Sequence, residues 1–282
     1  NEGAVISADI TGTSGLEKTG DGLLVLWGNN TYSGNTYVSG GILQIASMQN
    51  LGASSNTLII DNAMLRTANS FDMTQAITLG GVSTINVLLG EEMKLSGGVT
   101  GSGMLFKDGG GTLLLSGANS WSGGTWINDG TLRIEENIYS AIAYNADYVV
   151  TGGLLGLNGM ELRMRWLIGS DGEISINAST LTIAQDNDTI YAGRITGNNF
   201  DSNLIKTGSG MLVLTGNNSY YGSTTIYGGS LAISDAQNIG LNSGFSRLEI
   251  NNNTALITLA DIELNRQVTL VAIGRASRRG RG

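Results

Sequence analysis

The 282-residue chain has no proline, no cysteine and no histidine, and each absence removes a class of readings. Without histidine no imidazole can act as a general base at neutral pH, so Ser-His-Asp and Cys-His catalysis are excluded within this stretch. The nucleophile elbow Gly-x-Ser-x-Gly is missing too. Without cysteine no disulfide can form, which suits a protein that crosses a membrane unfolded and would otherwise be trapped by premature crosslinks. Without proline every backbone N–H remains available to a β-ladder, and no cis/trans step slows folding. Charged residues make up 13% of the chain, about half the roughly 25% usual in globular domains. The formal net charge of −8 argues against a nucleic-acid partner, because phosphate binding needs a basic stripe. No apolar run approaches the ~20 residues that span a bilayer, and the first residues lack the pattern of a signal peptide.

What the chain does contain is glycine, 43 residues of it, in a composition that is 41% apolar and rich in Asn, Ser and Thr. A chain this apolar can bury a large core, so disorder is not the expectation. Three near-copies of one segment align without a gap, at 16–46, 105–135 and 204–234. Lys18, Lys107 and Lys206 mark the same position in each, 89 and then 99 residues apart. That spacing is too long for one structural repeat, so each unit must contain several coils. Looser echoes follow the first and third copies, at Asn50-Leu51-Gly52 and Asn238-Ile239-Gly240. The third unit runs to the end of the sequence, which reads as a fragment of something longer.

Within each copy apolar residues alternate, as in Leu24-Val25-Leu26, Leu113-Leu114-Leu115 and Leu212-Val213-Leu214. These are strands of three to five residues. Glycine and asparagine clusters such as Gly28-Asn29-Asn30 and Asn128-Asp129-Gly130 separate them and read as tight corners, since these residues accept positive φ. No segment has a helical stripe with caps; 161–168 (ELRMRWLI) comes nearest. Short strands, sharp corners and repetition predict an all-β fold, a right-handed parallel β-helix of about ten to thirteen coils at roughly 20 to 25 residues each. At the ~4.8 Å strand spacing the rod is about 50 to 60 Å long. A β-sandwich is the alternative, but sandwiches do not repeat in this way. The expected organisation is coils over 1–104, a second unit with an irregular insertion over 105–203, a third unit over 204–273 and a basic tail over 274–282.

The pattern Gly-x-Gly-x-Leu-x-Leu-x-Gly-x-Asn-x-aromatic-x-Gly-x-Thr, followed by Gly-x-Leu-x-Ile, is carried in the third copy by Gly208, Gly210, Leu212, Leu214, Gly216, Asn218, Tyr220, Gly222, Thr224, Gly229, Leu231 and Ile233. It resembles the passenger-associated repeat of bacterial type V autotransporters. The resemblance implies a passenger domain displayed at the Gram-negative cell surface or secreted, tied to the membrane only through a carboxyl-terminal barrel outside this sequence. Such passengers serve as adhesins, aggregation factors or virulence factors, with self-association among their properties, and the region nearest the barrel often acts as an autochaperone. The tail places Arg278-Arg279 in a glycine-flanked segment, the dibasic form that outer-membrane omptin-type proteases accept, and is similar to that of an actin-motility passenger. A host protein, specifically a regulator of actin nucleation, is the partner implied; the bland reading of the tail is a solvated linker.

No catalytic residue, cofactor or metal site is expected. The carboxylate clusters Asp186-Asn187-Asp188, Glu91-Glu92 and Glu135-Glu136 read as solvated coil edges, although carboxylate chemistry leaves a carbohydrate-active β-helix or a glycan-binding adhesin as the alternative function. Calcium nonapeptides and EF-hand loops are absent. Tyr32, Trp121 and Tyr220 share one slot in the three copies and read as structural. Trp126 points outward by alternation, either as a binding anchor or as one member of a cross-coil ladder. The irregular stretch 138–185 carries Tyr144, Tyr148, Arg163, Arg165 and Trp166. With Trp126 these form the candidate partner-binding set, since binding residues concentrate in irregular segments on a rigid scaffold; degenerate coils are the alternative.

Overall fold

Apolar alternation becomes a stack of short parallel strands in the computed structural model, which describes residues 3–135, 142, 144–242, 244 and 246–271. The tail with Arg278 and Arg279 lies outside the described residues, as do Ile138 and Tyr139. Every strand pair is parallel, and the strands form sheets of fourteen, eight, five and four members. The fourteen-stranded sheet sets thirteen steps along a β-solenoid, a rod of about 60 Å at the ~4.8 Å strand spacing. Two short 3-10 helices, Met48–Leu51 and Ala236–Ile239, are the only helices among the described residues. The segment that came nearest to a helix in the sequence is a strand, Leu162–Ile168.

Each inward position continues into the next coil as a row of like residues. Leu24, Leu43, Leu65 and Ile85 stand in register, as do Leu113, Leu132, Leu155, Ile174 and Ile195. All of these except Leu24 are fully buried. No coil could bury its inner face alone, so neighbouring coils complete one continuous core. Tyr32, Trp121 and Tyr220 lie inside it, at 1%, 2% and 0% exposure. Each satisfies its polar atom locally: the tyrosine hydroxyls meet Thr36 and Thr224 at 2.6 Å, and Trp121 Nε1–H donates to the Gly124 carbonyl.

The three aligned lysines have a role their charge does not advertise. Lys18, Lys107 and Lys206 are buried, the last two completely. Each ammonium donates to two carbonyls of its own corner and one of the corner a coil later: Thr19, Gly20 and Gly40; Asp108, Gly109 and Asp129; Thr207, Gly208 and Gly228. These distances run from 2.5 to 3.3 Å. Three donors meet three carbonyls that turn inward where the ladder is interrupted. The corner one coil later is closed by Gly41, Gly130 or Gly229, at φ of +60°, +63° and +62°. A Cβ there would fall 2.3 to 2.5 Å from a carbonyl oxygen of the preceding corner, so the approach admits only glycine.

Asparagine stitches the opposite corner. Asn30 and Asn218 each accept a backbone N–H from the coil before, Ile10 or Ile195, and donate to the carbonyl of Asn50 or Asn238 in the coil after. Asn50 and Asn238 cap their 3-10 turns and donate back to Gly28 and Gly216. The echo seen after the first and third copies is therefore a second layer of one hydrogen-bond device.

Aligned copies do not occupy the same sheet. The lysine strand Leu16–Lys18 belongs to the five-stranded sheet, whereas Met104–Asp108 and Asn203–Thr207 belong to the fourteen-stranded one. Four rungs carry Lys18 through Val38, Ile60 and Leu79 to Gly101, six residues short of Lys107. Eighty-nine residues is thus not a whole number of coils, and the second copy falls one face further round the rod.

Burial pushes the Lys107 and Lys206 ammonium groups down to about 8 from 10.5. Replacing Lys107 with Met strands three buried carbonyls and is expected to destabilise the chain by about 2–4 kcal/mol, read as a urea midpoint. Between pH 8 and 10.5 the unfolded chain still holds lysine protons that the folded chain has released, so the lysine contribution to stability rises with pH across that window. Wild type should therefore draw further ahead of a Lys107→Met, Lys206→Met double variant from pH 8 to 10.5. A gap that narrows instead would mean that the carbonyl cage holds the proton more tightly than water does.

Candidate functional site

The rod loses its regularity at one strand. In Leu162–Ile168 the first three residues pair onward with Leu181, Thr182 and Ile183. The last three pair back with Asp147, Tyr148 and Val149, and Gly169 then bridges to Tyr191 in the four-stranded sheet. One column of strands becomes two at this point, a fork. The backward pairing also slips by one residue, Ala146 facing Met164 while Asp147 faces Trp166. Arg165 is the extra residue of this β-bulge, and as a result Arg165 and Trp166 are both exposed, two outward side chains in succession where alternation allows one. Bulges re-aim side chains in this way and are enriched beside functional sites.

A cleft of about 440 Å³ opens in the fork, lined by Asp147, Arg165, Trp166, Gln185, Asp186 and Asn187. Its polar groups are held in place. Arg165 forms a bidentate pair with Asp147, Nε to Oδ1 at 2.8 Å and Nη2 to Oδ2 at 2.6 Å, and this bond raises its pKa. Asp186 Oδ1 accepts both the N–H and the hydroxyl of Ser209, at 2.9 and 3.1 Å. Those bonds hold its carboxyl below the ordinary range, with Lys206 and Arg163 adding to the effect. Gln185 is buried, accepts from the Thr189 hydroxyl and donates to the Met211 carbonyl, so it fixes the floor of the link between the two branches.

The six candidate binding residues separate accordingly. Arg165 and Trp166 line the cleft. Arg163 stands nearby, donating to Asn145 and Thr207. Tyr144 is exposed at 62%. Tyr148 is a correction: it points into the core at 0% exposure and cannot meet a partner, because it sits on the inward phase of Ala146–Val150. Trp126 is half-buried, lies against Phe106 with ring centroids 5.1 Å apart and donates to the Thr151 hydroxyl. It is a member of a cross-coil ladder, in register with Phe106 before it and Val149 after it.

The carboxylate clusters mostly staple coils. Glu92 pairs with Arg133 and Lys94 with Glu135, both at 2.9 Å, crossing two coils over the buried outward Leu114. Glu91 accepts from Ser70, and Asp188 accepts the Met211 N–H. Glu136 lies outside the described residues. Asp147 and Gln185 escaped sequence reasoning, since neither carries a motif. The signal that existed was Arg165-Trp166, adjacent residues that cannot both point inward next to Met164.

Residues 16–45, 105–134 and 204–233 match the passenger-associated-transport-repeat family. The chain is 35% identical over 272 residues to the adhesin BmaC autotransporter of Brucella suis biovar 1 (strain 1330), covering 87% of this chain and 8% of that protein. It is 28% identical over 277 residues to the probable autotransporter YfaL of Escherichia coli (strain K12), covering 85% of this chain and 22% of that protein. A shorter likeness, 38% over 88 residues, joins 29% of this chain to 8% of an extracellular serine protease of Serratia marcescens. The chain thus spans less than a quarter of the length of each of these relatives. No solved structure matches it.

The Asp147–Arg165 pair is mostly exposed on the guanidinium side, so it orients the site more than it stabilises the fold. Replacing Asp147 with Asn should lower the unfolding free energy from urea titration by less than about 1 kcal/mol. A larger loss would show that the bulge itself depends on the pair.

Proposed function

We infer that this chain, with its three passenger-associated repeats, is a stretch of an autotransporter passenger: a rigid β-solenoid outside the cell that acts by surface contact rather than catalysis. The observation that carries the reading is the threefold recurrence of one lysine-caged corner, at the positions that match the repeat family. Likeness over most of the chain to an autotransporter adhesin supports an adhesin-like role and a surface-exposed or secreted location. The likeness to a serine protease is about one unit long, and this stretch has no histidine to serve a catalytic serine. Its similarity is that of a shared stalk.

Two finer readings go with this one. The carboxyl-proximal coils over 204–273 act as a folding nucleus, an autochaperone, a reading that rests on the repeat resemblance and agrees with the lysine, asparagine and 3-10 stitches these coils share with the first unit. A host regulator of actin assembly is the protein partner in this reading, on the likeness of the tail to that of an actin-motility passenger, and the dibasic Arg278-Arg279 pair is the processing site proposed for an outer-membrane protease.

Beads coated with the folded chain should adhere to cultured epithelial cells above beads coated with albumin; equal adhesion removes the adhesin reading. In pulsed hydrogen exchange during refolding of the whole chain, amides of 204–250 should gain protection before those of 16–134. Protection that arises everywhere at once leaves the autochaperone without support. A pull-down from host extract should retain actin-assembly regulators, and their absence would dismiss that partner.

A further inference from the structure

The fork cleft has the chemistry of a sugar site, and we propose that it binds an uncharged glycan, with a pyranose ring stacked on Trp166. The proposal rests on the adhesin-like reading and names the ligand class for its surface. Three observations converge on it.

Among the described residues that line the cleft, Trp166 is the one aromatic, and no aliphatic side chain joins it. A peptide anchor would call for a deeper apolar pocket. The C–H face of a pyranose calls for one aromatic plane surrounded by polar groups, because it is apolar on one side and hydroxylated at its rim. The volume, about 440 Å³, falls in the roughly 300–1,000 Å³ range of small-ligand clefts.

The polar groups are also arranged in advance. Asp147 is held by Arg165 and Asp186 by Ser209, and these bonds occupy two of the about four acceptor sites on each carboxylate. The remaining sites can accept sugar hydroxyls, and Asn187 on the rim offers an amide with both donors and an acceptor. Side chains already immobilised lose little further freedom when a ligand arrives. This order exists only because the bulge turns Arg165 and Trp166 outward together.

Charge decides the kind of glycan. The cleft sets two carboxylates against one guanidinium that is already paired, on a chain of net charge −8. Sialylated or uronic-acid sugars would be repelled, whereas neutral hexoses and N-acetylhexosamines would not. The same features point to binding without hydrolysis. Glycosidic cleavage needs a carboxylic acid held protonated, and here Asp147 is ion-paired and the Asp186 carboxyl is held low.

The test is a glycan array carrying neutral mammalian glycans, their sialylated counterparts and bacterial polysaccharides, probed with the whole chain. Neutral structures should be bound, with their sialylated forms at least about tenfold weaker, and the array arms tell host from bacterial sources. Trp166→Ala should weaken binding about tenfold or more, Trp166→Phe should retain most of it, and Tyr37→Ala, remote from the cleft, should leave it unchanged. Thermal melts confirm folding, and should Trp166→Ala melt early, Asn187→Ala replaces it as the deciding variant. No neutral glycan bound, or binding indifferent to both Trp166 and Asn187, overturns the proposal. Bead adhesion that survives periodate oxidation of cell-surface sugars overturns it as well while leaving the adhesin reading intact, and absent adhesion strikes that reading instead.

Discussion

Everything in this rod depends on how the backbone groups at a corner find partners when the ladder stops. Along the strands each N–H and C=O is used by the coil before or after. At the corners the chain turns from one sheet to the next within a few residues, and carbonyls turn inward with no ladder to receive them. A lysine ammonium answers three at once, two from its own coil and one from the next. It is a charged group taken wholly into the interior, which is tolerable only because all three of its protons are engaged. Glycine at the succeeding corner is the geometric half of the same device, since any Cβ would strike the preceding carbonyl.

A scaffold stitched at its corners leaves its outer faces free. Some outward positions carry residues that tie one coil to the next, such as the crossed pairs over Leu114 or the Asn86–Asp108–Asn128 bonds. The exception lies where one strand column divides. There the regular ladder cannot satisfy both branches in one register, a bulge absorbs the mismatch, and the cleft is the space that results. Irregularity and cleft coincide here for a physical reason: where the strand column divides, the two branches no longer share one register, and a gap opens between them.

Much of the architecture was legible in the residues. Alternation in Leu24-Val25-Leu26 and its counterparts specified strand phase, glycine and asparagine clusters marked corners, and a repeat too long for one coil implied a stack. The shared slot of Tyr32, Trp121 and Tyr220 was legible as structural. The role of Lys18, Lys107 and Lys206 was not, because an alternating polar residue in a strand reads as exposed until its corner is built around it. Tyr148 was misplaced for a related reason: inside an irregular stretch the phase of a strand is set by its register with neighbours that have no repeat to identify them.

The amino-acid sequence by itself determined a parallel coil with sharp corners, since apolar alternation and the glycine and asparagine clusters recur in three aligned copies. Tertiary structure alone decided which sheet each copy enters, because 89 residues is not a whole number of coils. It alone brought Asp147, Arg165, Trp166 and Asp186 to one cleft. Those residues lie one or two coils apart, and what joins them is a one-residue slip in strand pairing that no local pattern encodes.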